Sequence, residues 1–144
     1  MKKLFLCAVI AMPLLSRAQA TLPDTTAIRI ACENYVGGFY AGDGDRVEKA
    51  VHTDLVKRIV AKQQDYKIMN MPAADLINAA KNHRNAPDKN PAEPFKLTVQ
   101  IYDVANGIAC AKITTNKMSF FDYVQLAKIK DEWKIINVLW AYNQ

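Results

Sequence analysis

The sequence has few of the residues that build metal centres, redox motifs and phosphate loops. It contains 3 Cys, 2 His and 5 Gly in 144 residues, with no Cys-x-x-Cys pair, no His-Glu-x-x-His motif, no Gly-x-Ser-x-Gly elbow and no glycine-rich phosphate loop. His52 and His83 stand in or beside predicted turns, at a spacing that matches no zinc motif. We therefore expect no metal site and no cofactor.

An apolar run long enough to span a membrane is also missing. The run Leu4–Leu15 is only about a dozen residues long, whereas a spanning helix needs roughly 20. Two lysines precede this run and Ala18-Gln19-Ala20, a small-x-small cleavage pattern, follows it. This pattern predicts a secretory signal peptide at residues 1–20 and an exported protein, periplasmic or secreted, with an uncleaved anchor as the alternative. Residues 21–144 then suit a single domain.

Most of the positive net charge of the sequence lies in residues 1–20. Three of the 19 Lys and Arg lie in this segment and none of the 14 acids does, so the formal net charge falls from +5 to +2. The remaining basic residues do not cluster with aromatics, which argues against nucleic-acid binding, and we expect no membrane association after cleavage. Cys32 and Cys110 remain, and two readings stay open for them: buried thiols, or a disulfide between helix and sheet.

The first part of the remaining chain has helical periodicity. Asp24, Thr25 and Thr26 are predicted caps of a helix that ends near Gly42, because Ile28, Cys32, Tyr35 and Phe39 recur at spacings of four, three and four. Residues 41–45 resemble a calcium loop, but most of its oxygen ligands are missing, so we predict a turn followed by an Asp45/Glu48 capping box. We also predict a helical piece around 55–60, a short strand at 66–71 and a helix opening at Pro72.

The second part changes to a period of two after a Pro- and Asn-rich stretch at 83–94, which predicts a mobile loop. Alternating residues from Phe95 to Ile101 predict a strand, Asn106-Gly107 predicts a type I′ hairpin turn, and residues 118–142 predict a final hairpin around Asp131-Glu132. The expected fold is therefore α+β, with helices packed on one face of a curved antiparallel sheet.

The hairpin registers predict which side chains share a face. A two-residue Asn106-Gly107 turn places Asp103 opposite Cys110 and Ile101 opposite Lys112, all on the apolar face with Leu97 and Val99. The Asp131-Glu132 turn pairs Leu126 with Asn137, Val124 with Leu139 and Asp122 with Ala141. Asp103, Lys112, Asp122 and Asn137 thus form a predicted polar constellation on apolar walls. An ordinary ion pair and a backbone hydrogen bond are the alternatives for these residues.

Several motifs of this chain resemble the nuclear transport factor 2-like superfamily, and within it the bacterial branch called "putative lumazine-binding". They are Tyr40-x-Gly42-Asp43, Ala111-Lys112, Asp122-Tyr123 and Trp133-Lys134-Ile135. The resemblance implies a cone-shaped curved antiparallel sheet wrapped by about three N-terminal helices, with an apolar cavity at one end. It also implies a dimer formed through the outer sheet face.

Two functions are expected from these observations. The first is an exported small-molecule-binding or accessory domain for a small apolar or aromatic ligand. The predicted ligand-binding residues are Tyr35, Phe39, Tyr40, Asp103, Lys112, Asp122, Val124 and Asn137. The alternative is a small isomerase, dehydratase or hydrolase that uses Asp103 or Asp122 as general acid or base. A homodimer is expected through Phe121, Tyr123, Ile136, Val138 and Trp140.

Overall fold

One six-stranded sheet carries three α-helices in the computed structural model, which describes residues 22–83 and 91–143. The helices are α1 (Asp24–Ala41), α2 (Gly44–Ala50) and α3 (Ala73–His83), and the strands are β1 (Val51–Ala61), β2 (Lys67–Pro72), β3 (Leu97–Ala105), β4 (Ile108–Thr115), β5 (Phe120–Ile129) and β6 (Glu132–Tyr142). The predicted signal segment at 1–20 and residues 84–90 of the predicted loop lie outside the described residues. Within those residues, no helix has the length and apolarity needed to cross a membrane.

The strand order is β2-β1-β6-β5-β4-β3. Strands β3 to β6 form an antiparallel meander that contains both predicted hairpins, and the expected α+β fold with a curved sheet is confirmed. The core lies between the helices and one sheet face, which we call the inner face. Its fully buried members include Ile28 and Tyr35 of α1 and Ile113, Leu126 and Ile135 of the sheet. We call the opposite side the outer face.

The two ends of α1 are held differently from one another. Gly42 ends the helix as predicted, in the left-handed conformation with φ 70° that glycine adopts without strain. The predicted side-chain caps at the start are wrong, because the Pro23 carbonyl accepts the first backbone N–H groups and no side chain caps the helix. Asp24 instead accepts hydrogen bonds from Trp133 Nε1 at 3.0 Å and Lys128 Nζ at 2.9 Å, which ties α1 to the last hairpin.

The turn before α2 is also capped by a different residue from the one predicted. Asp43 Oδ1 accepts from the backbone N–H of Arg46 at 3.0 Å, so the helix begins at Gly44 and the Asp45/Glu48 box is wrong. No group of three or more His, Cys, Asp or Glu in 22–83 and 91–143 could hold a metal ion.

The helical piece predicted around 55–60 is wrong, since residues 51–61 form β1. This strand pairs antiparallel with β2 and parallel with β6, so the sheet contains one parallel pair. Leu55 and Ile59 are four residues apart, a spacing that is also typical of one face of a helix. The segment is nevertheless rich in β-branched residues, and it gains strand partners on both sides.

The β3–β4 hairpin has the predicted two-residue turn, with φ 48° at Asn106 and φ 77° at Gly107. Asp103 pairs with Cys110 as expected, but Ile101 pairs with Ala111 instead of Lys112, because the register shifts at Tyr102. This β-bulge reverses the alternation of β3 at Tyr102. Asp103 and Cys110 are exposed, and Lys112 lies on the same outer face, so the apolar face predicted for all three residues is wrong.

The β5–β6 hairpin turns one residue earlier than predicted. Its turn residues are Lys130 and Asp131, with φ 49° and 66°, and Ile129 pairs with Glu132. A second bulge leaves Ile136 between the pairs Leu126–Ile135 and Gln125–Asn137, so all three pairings predicted for β5 and β6 are wrong. Val124 pairs with Val138 and Asp122 pairs with Trp140. As a result Val138 and Trp140 lie on the inner face, while Asn137 and Leu139 lie on the outer face.

Candidate functional site

A buried ion pair lies on the inner face of the sheet. Lys57 Nζ donates to Asp122 Oδ1 at 2.9 Å and to the Tyr35 hydroxyl at 2.7 Å. Asp122 is 1% exposed and Lys57 is 7% exposed, and they are the two buried charged residues in the part of the chain that the structure describes. Burying either charge alone would be costly, so the two side chains depend on each other.

Three different elements bring these side chains together. Tyr35 comes from α1, Lys57 from β1 and Asp122 from β5. Strand β6 runs between β1 and β5, with Lys57 paired with Val138 on one side and Asp122 paired with Trp140 on the other. The four-carbon stem of Lys57 crosses β6 on the inner face to reach the carboxylate.

Two aromatic rings cover the ammonium group. Its Nζ lies 4.8 Å from the ring centroid of Phe120 and 5.1 Å from that of Trp140, which is the range of a cation–π contact. Tyr35 meets the same group through its hydroxyl, so the ring-face contacts are those of Phe120 and Trp140. These two rings pack edge to face at 5.3 Å, and Tyr142 packs on Trp140 at 5.1 Å.

The same aromatic rings reach the surface. Phe120 and Trp140 are half-buried and Tyr142 is 62% exposed. Because Phe120 and Trp140 contact Nζ on one side and solvent on another, they connect the buried pair with the outside. We call the set of Tyr35, Lys57, Phe120, Asp122 and Trp140 the Lys57 site.

The electrostatics of the Lys57 site follow from its burial. Burial lowers the pKa of Lys57, and the charge of Asp122 opposes this shift. Burial also raises the pKa of Tyr35 well above 10.0, helped by the charge of Asp122 and a hydrogen bond to it. The buried thiol of Cys32, in the same region of α1, has its pKa raised to about 12, chiefly by burial. The phenol and the thiol therefore stay protonated.

The structure brings some of the predicted ligand-binding residues together. Tyr35, Asp122 and Val124 are buried on the inner side, with Val124 next but one to Asp122 on β5. Phe39 and Tyr40 are half-buried in ring pairs with His83 at 4.7 Å and Phe95 at 4.4 Å. Both residues lie near the C-terminal end of α1 and also pack against the core.

The other predicted residues lie on the outer face. Asp103 accepts from the backbone N–H of Val104 at 2.9 Å, and Lys112 Nζ lies 4.6 Å from the centroid of Phe121. Asn137 accepts from Arg58 and donates to Gln125 at 3.1 Å. The two bulges are the reason, because each reverses the alternation on which the predicted constellation depended.

Sequence reasoning missed Lys57, Phe120 and Trp140 as members of one site. The β-branched content of residues 51–60 is the signal that could have identified β1 and thereby Lys57. Nothing local marks the Ile136 bulge, which moves Trp140 to the inner face.

A concavity lies on the outer face. It is a depression of about 250 Å³. Its lining includes Asp103, Ile108, Cys110, Gln125 and Ile136. The exposed Cys110 and the buried Cys32 are both free thiols, so the disulfide alternative is not realised.

The helices packed on a curved, unclosed mixed sheet define the nuclear transport factor 2-like class of folds. Within that class, the chain belongs to the family described as "putative lumazine-binding", whose model matches residues 23–141. No curated protein matches the chain.

Solved structures of low identity share the fold. A nuclear transport factor 2-like protein of unknown function from Shewanella baltica is 20% identical, with a TM-score of 0.69, and the match covers 84% of this chain and 94% of that one. Another from Methylobacillus flagellatus is 21% identical, with a TM-score of 0.67 and coverages of 88% and 97%. A ketosteroid isomerase-like protein from Erwinia carotovora atroseptica is 10% identical, with a TM-score of 0.58 and coverages of 83% and 95%. At these identities the likeness extends to the fold alone.

Proposed function

We propose that this protein is an exported domain that binds a small aromatic molecule at the Lys57 site. The observation that supports this proposal is the buried Lys57–Asp122 pair beneath the half-exposed rings of Phe120 and Trp140. Small-molecule sites combine apolar and aromatic walls with a few polar groups that orient the ligand. A buried ion pair adds little net stability compared with apolar residues of the same size, so a core that keeps one is consistent with recognition.

The family description supports an aromatic heterocycle as the ligand class, since it names lumazine. The ligand would stack on the half-exposed rings of Phe120 and Trp140, which lie against the buried Lys57–Asp122 pair. Asp103, Lys112 and Asn137 take no part in this arrangement, because they lie on the outer face.

Tryptophan fluorescence tests this proposal, because Trp133 and Trp140 are the two tryptophans of the chain. A panel of aromatic metabolites that includes lumazine is titrated into Trp133→Phe, in which only Trp140 emits. We expect a ligand to change this emission and to raise the melting temperature.

The matched control is Trp140→Phe, in which only Trp133 emits. Trp133 donates a hydrogen bond to Asp24 at the start of α1, away from the Lys57 site, so its emission should not change when the ligand is added. A panel in which no compound changes the Trp140 emission, or in which binding persists unchanged without Trp140, would contradict the proposal.

Export is the second part of the proposal, and it rests on residues 1–20. Lys2, Lys3, the apolar run and Ala18-Gln19-Ala20 support cleavage after Ala20. N-terminal sequencing of the protein recovered outside the cytoplasm should begin at Thr21. A chain that stays inside the cell and keeps Met1 would contradict this part.

A homodimer through the outer face is also proposed. Five large apolar or aromatic residues are 38–62% exposed on that side, and a second copy of the chain would cover them. They are Tyr102, Ile108, Tyr123, Ile136 and Leu139. Val138 and Trp140 leave the predicted interface, because Val138 is fully buried and Trp140 packs against the core.

An enzyme is the second candidate function. The observation that favours it is a lysine of lowered pKa in hydrogen-bond contact with a carboxylate and a phenol, since such groups often serve acid–base catalysis. Asp122 is the candidate acid or base, whereas the exposed Asp103 does not line the Lys57 site. Turnover of a ligand found in the screen, lost in Asp122→Asn with binding retained, would favour the enzyme over the binding domain.

A further inference from the structure

A groove opens where α1 and α2 meet the start of β3. Its lining includes Glu33, Gly37 and Tyr40 of α1, Arg46 of α2 and Phe95 just before β3. The volume of about 420 Å³ lies in the range of small-molecule sites. Strands β6, β5 and β4 separate β3 from β1, so the groove is separate from the Lys57 site. We infer that this groove binds a small monocarboxylate with an aromatic or apolar body.

The cationic group of the groove is Arg46, which is half-buried and held by neutral acceptors. Its Nε donates to Asn34 Oδ1 at 3.4 Å, and its Nη2 donates to the backbone carbonyl of Glu33 at 3.3 Å. A Cβ atom at Gly37 would lie 3.2 to 3.9 Å from three atoms of the guanidinium. The guanidinium therefore rests on the α1 backbone at a position where the absence of a side chain leaves room for it.

The positive charge of Arg46 has no counter-ion among residues 22–83 and 91–143, since none of their carboxylates forms an ion pair with it. A guanidinium carries five N–H bonds, and the contacts with Asn34 and Glu33 use two of them. The N–H bonds of Nη1 are among those that remain. A carboxylate is the anion whose two oxygens match two parallel N–H donors of a guanidinium.

The apolar body of the ligand follows from the aromatic pair in the same groove. The rings of Tyr40 and Phe95 are stacked, with centroids 4.4 Å apart and planes 14° apart, and both residues are half-buried. Leu97, also half-buried, extends this apolar wall along β3. A ring or branched chain attached to the carboxylate would cover the part of this wall that remains exposed.

Glu33 limits the ligand to a single negative charge. It lies one helical turn before Gly37 on the same face of α1, it is exposed, and it lines the groove. Its carboxylate would repel a second negative charge on the ligand. A monocarboxylate is therefore favoured over a dicarboxylate or a phosphate.

Three probes separate the charge from the body: 3-phenylpropionate, its neutral amide 3-phenylpropanamide, and acetate. Titration of the ¹⁵N-labelled protein at low ionic strength, followed by NMR, measures each Kd and shows which backbone signals shift. We expect 3-phenylpropionate to bind with a Kd at least about tenfold below those of the other two probes, and to shift the signals of Gly37 and Arg46. Binding of the amide or of acetate that is as tight, no binding of 3-phenylpropionate, or shifts that leave Gly37 and Arg46 unchanged would overturn the inference.

Two substitutions should act in opposite directions. Arg46→Gln removes the cation and should raise the Kd for 3-phenylpropionate by at least about tenfold. Glu33→Gln removes the opposing charge and should lower this Kd about two- to threefold at low ionic strength. Binding that is not weaker in folded Arg46→Gln, or not tighter in Glu33→Gln, contradicts the inference. Because Glu33 is exposed, the second variant decides even if the first does not fold.

Arg58→Gln is the matched control. It also removes a half-buried arginine that donates to an asparagine side chain, Asn137, but on the outer face. The Kd for 3-phenylpropionate should not change, and a loss as large as that in Arg46→Gln overturns the inference. The proposed function is judged separately by the Trp140 emission in the metabolite screen. A failure of that screen leaves the groove site standing, just as unshifted Gly37 and Arg46 signals leave the proposed function standing.

Discussion

Lys57 and Asp122 form a buried ion pair, and among the described residues each is the only charged partner of the other. The ammonium donates to a carboxylate and a phenol, and two aromatic rings occupy the space around it. Each charge compensates for the lost hydration of the other. The strength of this dependence can be measured.

Removing one charge should cost far more than removing both. Lys57→Met is expected to lower the free energy of unfolding by about 3–5 kcal/mol, because it leaves Asp122 buried without a partner. The double variant Lys57→Met/Asp122→Leu should lose less than Lys57→Met alone. Urea unfolding of the single and double variants measures the coupling, with Lys112→Met as a control expected to change less than about 1 kcal/mol. Additive losses in the double variant would show that the pair is not coupled.

Tyr35 should make the protein less stable at high pH. Its folded pKa lies well above 10.0, so above about pH 10 the unfolded chain loses a proton that the folded chain keeps, and the free energy of unfolding falls. Lys57 acts in the opposite direction: between its lowered pKa and 10.5 the unfolded chain alone stays protonated, so stability rises with pH. Tyr35→Phe removes only the first effect.

Urea unfolding across the alkaline range should therefore show a shallower loss of stability in Tyr35→Phe than in the wild type. Tyr66→Phe, at a residue that is 68% exposed, is the control. An alkaline loss of stability that is as steep in Tyr35→Phe as in the wild type would contradict this reading.

The two described cysteines should differ in reactivity. Cys32 is fully buried with its pKa raised to about 12, so it has almost no thiolate at pH 8, whereas Cys110 is exposed. Iodoacetamide labelling of the native protein, followed by peptide mass spectrometry, should modify Cys110 and leave Cys32 free until the protein is unfolded. Equal labelling of both residues in the native state would contradict the burial of Cys32.

At the scale of elements, β1 and the two bulges decide the composition of the Lys57 site. Strand β1 brings Lys57 next to β6, and the Ile136 bulge turns Trp140 toward the inner face. The Tyr102 bulge turns Asp103 toward the outer face. One residue inserted into a strand thus exchanges the two faces of everything beyond it.

Two neighbouring isoleucines test the Ile136 bulge. Ile135 is fully buried and Ile136 is 38% exposed. Ile135→Ala is expected to lower the free energy of unfolding by about 2–5 kcal/mol, as for other large-to-small core substitutions, and Ile136→Ala by less than about 1 kcal/mol. Urea unfolding compares the two variants directly. The reverse order of the losses would place the bulge elsewhere in β6.

At the scale of the whole molecule, the outer face is the candidate contact surface between two copies of the chain. Leu139→Lys adds a charge to a residue that is 47% exposed there, and it should convert the proposed dimer to a monomer. Ile30→Lys is the control, because Ile30 is 41% exposed on α1 and not on the sheet. Light scattering measures the mass of each variant. A wild-type protein that is already monomeric, or one that remains a dimer in Leu139→Lys, contradicts the proposed interface.

The sequence by itself determined the features that depend on neighbouring residues. The four-three-four spacing in α1, the left-handed Gly42, the Asn106-Gly107 turn and the alternation of the later strands are local patterns, and each predicted its element. Together they were enough for the α+β fold class. Tyr35 and Asp122 could be selected in the same way, as inward residues of a helix and a strand.

Only the tertiary structure decided which polar residues meet. Residues 51–61 become a strand because β6, whose paired residues lie about 80 positions later, offers hydrogen bonds that local spacing cannot reveal. The two bulges turn Asp103 and Asn137 outward and Trp140 inward. Lys57 and Asp122 are 65 residues apart in the chain. They pair because burial of one charge requires the other, and the fold alone brings them within reach.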